Sequence, residues 1–299
     1  MRLGINTGFA VNRYPMPRQW LKVIGEDLNL RYAQLTADLI NPDLGTKVIS
    51  NLIKEINHYK KVYDVKIDSI MTGSFTRVNH FSHPDEQIRA HWKSWFNNLI
   101  DIAVEVEATN LSSHLGILCY EDLHNPARRE FIMEETVKSW KELARSAACS
   151  GLKYLTWEPM SIAREYGETI DETKKIINLL KGSEIPIQLC LDVDHGDITS
   201  KNKDDVNYKK LLENFAGVSP LIHIKQSLKE KGGHYPFTKE YNQKGKIKPK
   251  EFVDTLKKFN GLENVLVLFE LSFREREPID SNVISILKES VDYWRRWIV

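Results

Sequence analysis

The chain has 299 residues, of which 41% are hydrophobic and 28% are charged, a balance typical of a globular protein with a sizeable core. This composition excludes intrinsic disorder and collagen-like repeats. Lys and Arg total 42 against 41 Asp and Glu, so the chain has no overall basic field, and nucleic acid is disfavoured as a partner.

The cysteines and the apolar stretches indicate the compartment. Cys119, Cys149 and Cys190 form neither CxxC pairs nor an even set, which is typical of free thiols in a reducing compartment. Residues 1–17 lack the long apolar segment of a signal peptide. No apolar run approaches the ~20 residues that a membrane-spanning helix needs. We therefore expect a cytoplasmic protein that does not associate with membranes.

Short β-rich runs alternate with amphipathic stretches along the whole chain. The predicted strands are 2–7, 32–36, 65–72, 109–114, 154–157, 186–192, 221–225 and 265–271. The predicted helices are 19–25, 45–61, 85–107, 125–149, 168–180, 204–215, 248–259 and 281–297. The irregular stretch 227–250 is predicted to be a long loop after the seventh strand.

This alternation predicts the fold class. Parallel strands need a crossover element between them, so strands that alternate with helices imply a parallel sheet in an α/β protein. Eight such units in 299 residues fit a closed (β/α)8 TIM barrel, with residues 1–299 forming a single domain. An open doubly wound sheet is the competing architecture. It is weakened because residues 6–11 read NTGFAV where that fold often carries G-x-G-x-x-G.

Metal-ligating side chains stand at the ends of four consecutive predicted strands. Glu158 follows the fifth strand, Asp192 and His195 follow the sixth, His223 lies in the seventh and Glu270 in the eighth. The carboxyl ends of barrel strands form the active site, so three carboxylates and one imidazole could converge on one divalent cation. This oxygen-rich set suits Mn²⁺ or Mg²⁺ best, with Co²⁺ and Zn²⁺ as further options.

Each of these residues has a simpler interpretation when it is taken alone. A carboxylate after a strand is often a helix N-cap or half of a salt bridge, and His223 alone would read as a core histidine. Burying four such groups without partners would cost several kcal/mol each. Their equivalent positions on consecutive strands therefore favour a metal site.

The order Glu158, Asp192-x-x-His195, His223 and Glu270 resembles the xylose isomerase-like superfamily, in its sugar phosphate isomerase and epimerase branch, which includes ketose 3-epimerases. The runs LSSHLG at 111–116 and FSHPDEQIR at 81–89 are similar to this branch as well. The resemblance implies that the three carboxylates and His223 bind the metal. It also implies that His195 contacts the substrate.

Three further residues are candidate substrate contacts. His114 closes the fourth strand in a polar run and is predicted to point into the pocket. Many family members carry an acidic residue or Asn just after the ligand histidine, whereas this chain has Lys225 at that place. Lys225 is therefore a candidate anchor for a phosphate or carboxylate, and Arg164 is a second. A solvated loop charge is the alternative interpretation of both.

The chemistry follows from the metal and the two glutamates. A divalent ion that binds a substrate carbonyl and the adjacent hydroxyl stabilises an enediolate. Glu158 and Glu270 are the predicted catalytic acid and base, one removing the C3 proton and the other returning it. If only one base reaches the substrate, the same enediolate leads to aldose–ketose isomerisation.

The resemblance implies a small-molecule substrate, a short ketose or ketose phosphate such as a tetrulose phosphate. A metal-dependent decarboxylase of a 3-oxo sugar acid remains open, with Lys225 or Arg164 holding the carboxylate. An apurinic endonuclease-like enzyme of the same superfamily is a further alternative, with His80, His83 and His114 as extra metal ligands. The run YWRRW at 293–297 leaves a homo-oligomer open, because it could pack on a partner subunit or on its own barrel.

Overall fold

A closed barrel of parallel strands forms the centre of the protein. The computed structural model describes residues 1–228, 233–259, 261–262, 264–273 and 280–298. Each strand pairs with the next along the chain, and the last pairs with the first. The strands are β1 Arg2–Asn6, β2 Tyr32–Thr36, β3 Lys66–Met71, β4 Asn110–His114, β5 Tyr154–Glu158, β6 Ile187–Asp192, β7 Leu221–Ile224 and β8 Leu266–Phe269.

Helices connect the strands around the barrel. They are α1 Pro17–Lys22, α2 Thr46–Val62, α3 Glu86–Glu105, α4 Tyr120–His124, α5 Pro126–Ser150, α6 Ile170–Leu179, α7 Tyr208–Phe215, α8 Lys239–Lys244, α9 Pro249–Leu256 and α10 Val283–Arg295. None of the helices in the described part of the chain is long and apolar enough to cross a membrane.

The closed barrel confirms the predicted fold and excludes the open doubly wound sheet, because Arg2 on β1 pairs with Leu266 on β8. All eight predicted strands are present, with ends within two residues of those predicted. The predicted loop 227–250 contains α8, and its residues 229–232 lie outside the described residues. Helices α4 and α8 are less than two turns long, too short for a helical period to show in the sequence.

The C-terminal aromatic run packs on the chain's own barrel through Trp294. This indole is fully buried and meets the rings of Phe237, Phe252 and Phe269 at steep angles. Such edge-to-face packing adds to the free energy gained by burying the ring. Trp297, in contrast, is 40% exposed.

Strand register brings the predicted site residues together at one end of the barrel. His114 is the partner of Glu158 across β4 and β5, and Asp192 is the partner of His223 across β6 and β7. Glu270 directly follows β8, and its N–H donates to the carbonyl of Ile224. In a parallel barrel all strands end on the same face, so these side chains share one site.

Candidate active site

Glu158, Asp192, His223 and Glu270 form a compact cluster at the carboxyl ends of β5 to β8. Their ligand atoms all lie within 4.8 Å of one another. His223 Nδ1 is 3.1 Å from Glu158 Oε1 and 3.7 Å from Glu270 Oε1. The first three side chains are buried and Glu270 is half-buried. Three carboxylates this close repel one another unless cations compensate their charge.

Lys225 supplies one of these cations. Its side chain is only 1% exposed, and its Nζ is 2.8 Å from Asp192 Oδ2 and 3.2 Å from Glu270 Oε2. Burial acts to lower the pKa of Lys225, but the attraction of Asp192, Glu270 and Glu158 raises it above its ordinary value. The ammonium therefore stays charged.

The charge that remains fits a divalent ion. The three carboxylates carry −3 and Lys225 carries +1, which leaves −2 for the cluster when His223 is neutral. Carboxylate oxygens with one imidazole are a donor set that Mn²⁺ and Mg²⁺ accept. These four residues could therefore hold one divalent metal ion.

A chain of hydrogen bonds fixes which nitrogen of His223 faces the cluster. The N–H of Gly8 donates to Asn6 Oδ1 at 2.7 Å, so the Asn6 amide group must point its Nδ2 at Gln34 Oε1, also at 2.7 Å. Gln34 Oε1 is also 2.7 Å from His223 Nε2. An amide oxygen only accepts hydrogen bonds, so His223 Nε2 carries a proton and Nδ1 is the nitrogen that faces the carboxylates.

Burial acts to lower the pKa of His223, but its neighbours Cys190, Glu270 and Glu158 raise it well above its ordinary value, so Nδ1 also carries a proton here and donates to Glu158 Oε1. A bound metal ion would take the place of that proton.

Cys190 does not disturb this assignment. Its Sγ lies 3.3 Å from His223 Nε2. Burial raises the pKa of the Cys190 thiol, so it stays a thiol, which is a weak hydrogen-bond partner. Gln34 is therefore the partner that sets the tautomer.

A cavity of about 230 Å³ opens above the cluster. Glu158 and Glu270 line this cavity, whereas Asp192 and His223 do not. The remaining described lining residues are Asn6, Gly8, Thr36, Asp38, Met71, Thr72, Gly73, Ser74, Arg77, His114, Met160, His195, His234, Leu271 and Ser272.

Two of the four predicted substrate contacts, His114 and His195, line this cavity. His114 Nε2 is 2.8 Å from the carbonyl oxygen of Val78, to which it donates. Burial lowers the pKa of His114 to about 3, so its ring is neutral at physiological pH. His195 Nδ1 is 2.9 Å from the carbonyl oxygen of Pro159. The other ring nitrogen, His195 Nε2, is 3.1 Å from Lys225 Nζ.

The other two predicted contacts lie away from the cavity wall. Lys225 does not line the cavity, and its ammonium is bound to two carboxylates. It also lies 3.1 Å from His195 Nε2 and 3.3 Å from His234 Nε2, two rings that do line the cavity. Arg164, in the short 3-10 helix Ala163–Glu165, approaches Glu165 at 3.6 Å and is not among the described lining residues.

Residues 26–297 match the family of xylose isomerase-like TIM barrels. The chain belongs to this family. Its similarity to D-erythrulose 1-phosphate 3-epimerase of Brucella abortus (strain 2308) amounts to 40% identity over 296 residues, which cover 98% of this chain and 95% of the relative.

Solved structures agree with this placement. A candidate xylose isomerase from Rhodospirillum rubrum has a TM-score of 0.90 and 25% identity, covering 99% of both chains. D-psicose 3-epimerase from Clostridium cellulolyticum H10 has a TM-score of 0.72 and 13% identity, covering 100% of this chain and 99% of its own. At that identity the likeness shows the fold alone. With the relative at 40% identity, the family makes this chain an enzyme, a sugar epimerase or isomerase.

Sequence reasoning missed three residues that the fold brings to the site. Gln34 lies in strand β2 and is fully buried. The one signal available in the sequence was a polar residue within a predicted strand. Arg77 lies in the loop after β3. His234 lies after β7, with Nδ1 3.5 Å from Glu270 Oε2. Nothing in their local sequence separates Arg77 and His234 from ordinary loop residues.

Proposed function

We propose that this family member is a divalent-metal-dependent 3-epimerase of a tetrulose phosphate. The observation that carries the proposal is the pair of glutamates, Glu158 and Glu270, which line one cavity and belong to one cluster of metal-ligating residues. The 40% identity to an enzyme that acts on D-erythrulose 1-phosphate supports the substrate class.

Glu158, Asp192, His223 and Glu270 would hold the metal ion, with Mn²⁺ or Mg²⁺ the best match to the donor set. When bound, the ion supplies Lewis-acid stabilisation of the negative charge that develops on the carbonyl oxygen of the substrate. Lys225, bound to Asp192 and Glu270, adds to the positive potential at the same place. Gln34 keeps His223 in the tautomer that can act as a ligand.

The two glutamates are placed to handle the C3 proton from two directions. Glu158 ends β5 and Glu270 follows β8, so they approach the cavity from well-separated strands of the barrel. The contacts of Glu158 with described side chains all use Oε1, which leaves Oε2 available for proton transfer. One carboxylate removes the proton from C3, and the other returns a proton to the opposite face, which inverts the centre.

The histidine rings beside Glu158 orient the substrate. His114 donates from Nε2 to the Val78 carbonyl, so its Nδ1 can accept a hydrogen bond from a sugar hydroxyl. The neutrality of His114 matters here, because a second fixed cation would compete with the metal for the carboxylates. His195 lies on the other side of Glu158, with 3.6 Å between Nδ1 and Oε1.

The size of the cavity supports a short sugar. Pockets for drug-sized ligands measure about 300–1,000 Å³, and this cavity is about 230 Å³. A four-carbon ketose phosphate suits such a volume better than a longer chain does.

The two alternatives fit the structure less well. A multi-ion endonuclease centre needs extra ligands, but within the described residues only one group of metal-ligating side chains forms. His80 and His114 contact the carbonyls of Thr76 and Val78 instead. For a decarboxylase, Lys225 would have to hold the substrate carboxylate, and its ammonium is already bound to Asp192 and Glu270.

Proton exchange in D₂O tests the proposal. We expect the metal-stripped protein, after addition of Mg²⁺, to incorporate deuterium at C3 of D-erythrulose 1-phosphate, observed by ¹H NMR. Glu158→Gln and Glu270→Gln should each slow the exchange by at least about 100-fold at saturating metal, as loss of an acid or base does. Asp192→Asn is the matched control, because it removes a ligand without removing a proposed base. It should regain more activity as the metal concentration rises.

Two results would contradict the proposal. One is C3 exchange that persists at full rate in the chelator-treated protein. The other is absence of exchange with D-erythrulose 1-phosphate, D-erythrulose 4-phosphate and D-erythrulose alike, in a protein that binds Mg²⁺.

A further inference from the structure

We propose that Arg77 binds the phosphate group of the substrate and thereby makes the enzyme select phosphorylated ketoses. The inference rests on the proposed function and adds the residue that determines substrate class. Among the described residues that line the cavity, Arg77 is the one that carries a permanent positive charge.

The position of Arg77 relative to the reacting glutamate follows from its neighbours. The next residue, Val78, accepts a hydrogen bond from His114 through its carbonyl. His114 is in turn the register partner of Glu158. The loop that carries Arg77 therefore crosses the cavity wall one strand away from Glu158, so a short substrate held at the cluster would extend past His114 toward the guanidinium.

The loop is held in place before any substrate binds. Asp38 accepts hydrogen bonds from the N–H of Thr76 at 3.0 Å and from its hydroxyl at 2.8 Å. The Thr76 hydroxyl also accepts from the N–H of Gly73 at 2.8 Å. Gly73 has no room for a side chain, because a Cβ there would lie 2.0 Å from Thr36 Oγ1 and 2.3 Å from Asp38 Oδ2. Such preorganisation lowers the entropy lost when a ligand binds.

Glu165 positions the guanidinium of Arg77 and leaves part of its positive charge uncompensated. Arg77 forms an ion pair with Glu165 through Nη2, and Arg164 approaches the same carboxylate at 3.6 Å. Because Arg164 shares this carboxylate, Glu165 only partly neutralises the charge of Arg77. A guanidinium has five N–H donors, so donors remain for two phosphate oxygens.

The other cations near the site are less suitable. Lys225 is 1% exposed and bound to two carboxylates. Arg164 has almost the same side-chain exposure as Arg77, 38% against 37%, but does not line the cavity. Small residues also line this cavity, namely Gly73, Ser74 and Ser272, and they leave space for a phosphate. The two serines offer hydroxyl groups as further donors.

Arg77→Met and Arg164→Met form a matched pair that tests the proposal, because both arginines share Glu165 and have nearly equal exposure. For Arg77→Met we expect kcat/KM for D-erythrulose 1-phosphate to fall about 10- to 100-fold, mostly through KM, since charged hydrogen bonds are lost. Exchange with unphosphorylated D-erythrulose should change by less than about threefold. Arg77→Lys should recover part of the loss, because it keeps the charge without the fork of donors.

A binding measurement separates this inference from the proposed reaction. Inorganic phosphate is titrated into the metal-stripped wild-type and variant proteins by calorimetry, so that neither turnover nor a bound metal contributes. We expect Arg77→Met to weaken phosphate binding about tenfold or more. If the wild type exchanges no ketose but still binds phosphate through Arg77, the proposed function fails and the anion site stands.

Three outcomes would overturn the inference. The first is equal discrimination between phosphorylated and free erythrulose in the wild type and Arg77→Met. The second is loss of discrimination in Arg164→Met alone, which would assign the anchor to Arg164. The third is phosphate binding that is unchanged in Arg77→Met.

Discussion

The hydrogen bond that His223 donates to Gln34 gives a sharp prediction about the proposed metal site. Gln34→Leu replaces the amide with an apolar group of similar size, in a position that is fully buried. Two hydrogen bonds of 2.7 Å then lose their acceptor, one from Asn6 Nδ2 and one from His223 Nε2. Both donors are buried, so water is poorly placed to replace Gln34.

The expected magnitudes follow from these contacts. Each buried donor left without a partner costs about 1–3 kcal/mol, so we expect the free energy of unfolding of the metal-free protein to fall by ~2–6 kcal/mol. Loss of the group that orients a ligand histidine typically weakens metal affinity by about 10- to 100-fold. Mn²⁺ should therefore bind Gln34→Leu about 10- to 100-fold more weakly.

Gln34→Glu is the matched control. It keeps an oxygen acceptor for both donors. It also removes no existing hydrogen bond, because Gln34 Nε2 has no partner among the described residues. We expect this variant to bind Mn²⁺ at least as tightly as the wild type, since a carboxylate makes the histidine a more basic ligand.

Calorimetric titration with Mn²⁺ and urea unfolding in EDTA measure the two quantities separately. In addition, ¹⁵N NMR of the histidine rings should show that His223 Nε2 carries a proton in the metal-free wild type. If Gln34→Leu binds Mn²⁺ as tightly as the wild type and unfolds at the same urea concentration, Gln34 does not orient His223 and the reasoning is refuted.

Two further predictions concern the pH dependence of stability and the backbone beside the site. The pKa of His114 is about 3 in the folded protein, below the ~6.5 of an unfolded chain. The stability it contributes is therefore complete above pH 6.5 and falls by ~1.4 kcal/mol per unit below it. Between pH 7 and pH 5 the wild type should lose about 2 kcal/mol more than His114→Gln in urea unfolding, and equal losses would show that His114 titrates normally. Gly196→Ala should cost about 2–5 kcal/mol, because φ is +150° and a Cβ would lie 2.0 Å from the carbonyl oxygen of Asp205. Gly151→Ala, at φ +92° with open space around it, should cost only about 1 kcal/mol, and similar thermal shifts for both variants would argue against the clash.

Much of this protein is readable from its sequence because the relevant signals are local. Every strand is a short β-rich run bounded by an amphipathic stretch, so the eight units and the barrel follow from patterning. The cluster of Glu158, Asp192, His223 and Glu270 follows from the same pattern, because strand ends in a parallel barrel share one face. Asp85, the first residue of the predicted helix 85–107, is the N-cap of α3, where it accepts from the N–H groups of Gln87 and Ile88.

Only the tertiary structure decided what surrounds these residues. Gln34 and His223 are 189 positions apart, and they meet because the barrel closes, which no local pattern encodes. Lys225 lies two residues beyond His223 and so points to the same side of its strand, but its packing against Asp192 and Glu270 depends on β6 and β8. Arg77 and Arg164 are equivalent as loop charges in the sequence. In the structure Arg77 lines the cavity and Arg164 does not. Which loop side chain reaches the cavity is set by the three-dimensional path of the chain, and no local pattern encodes that path.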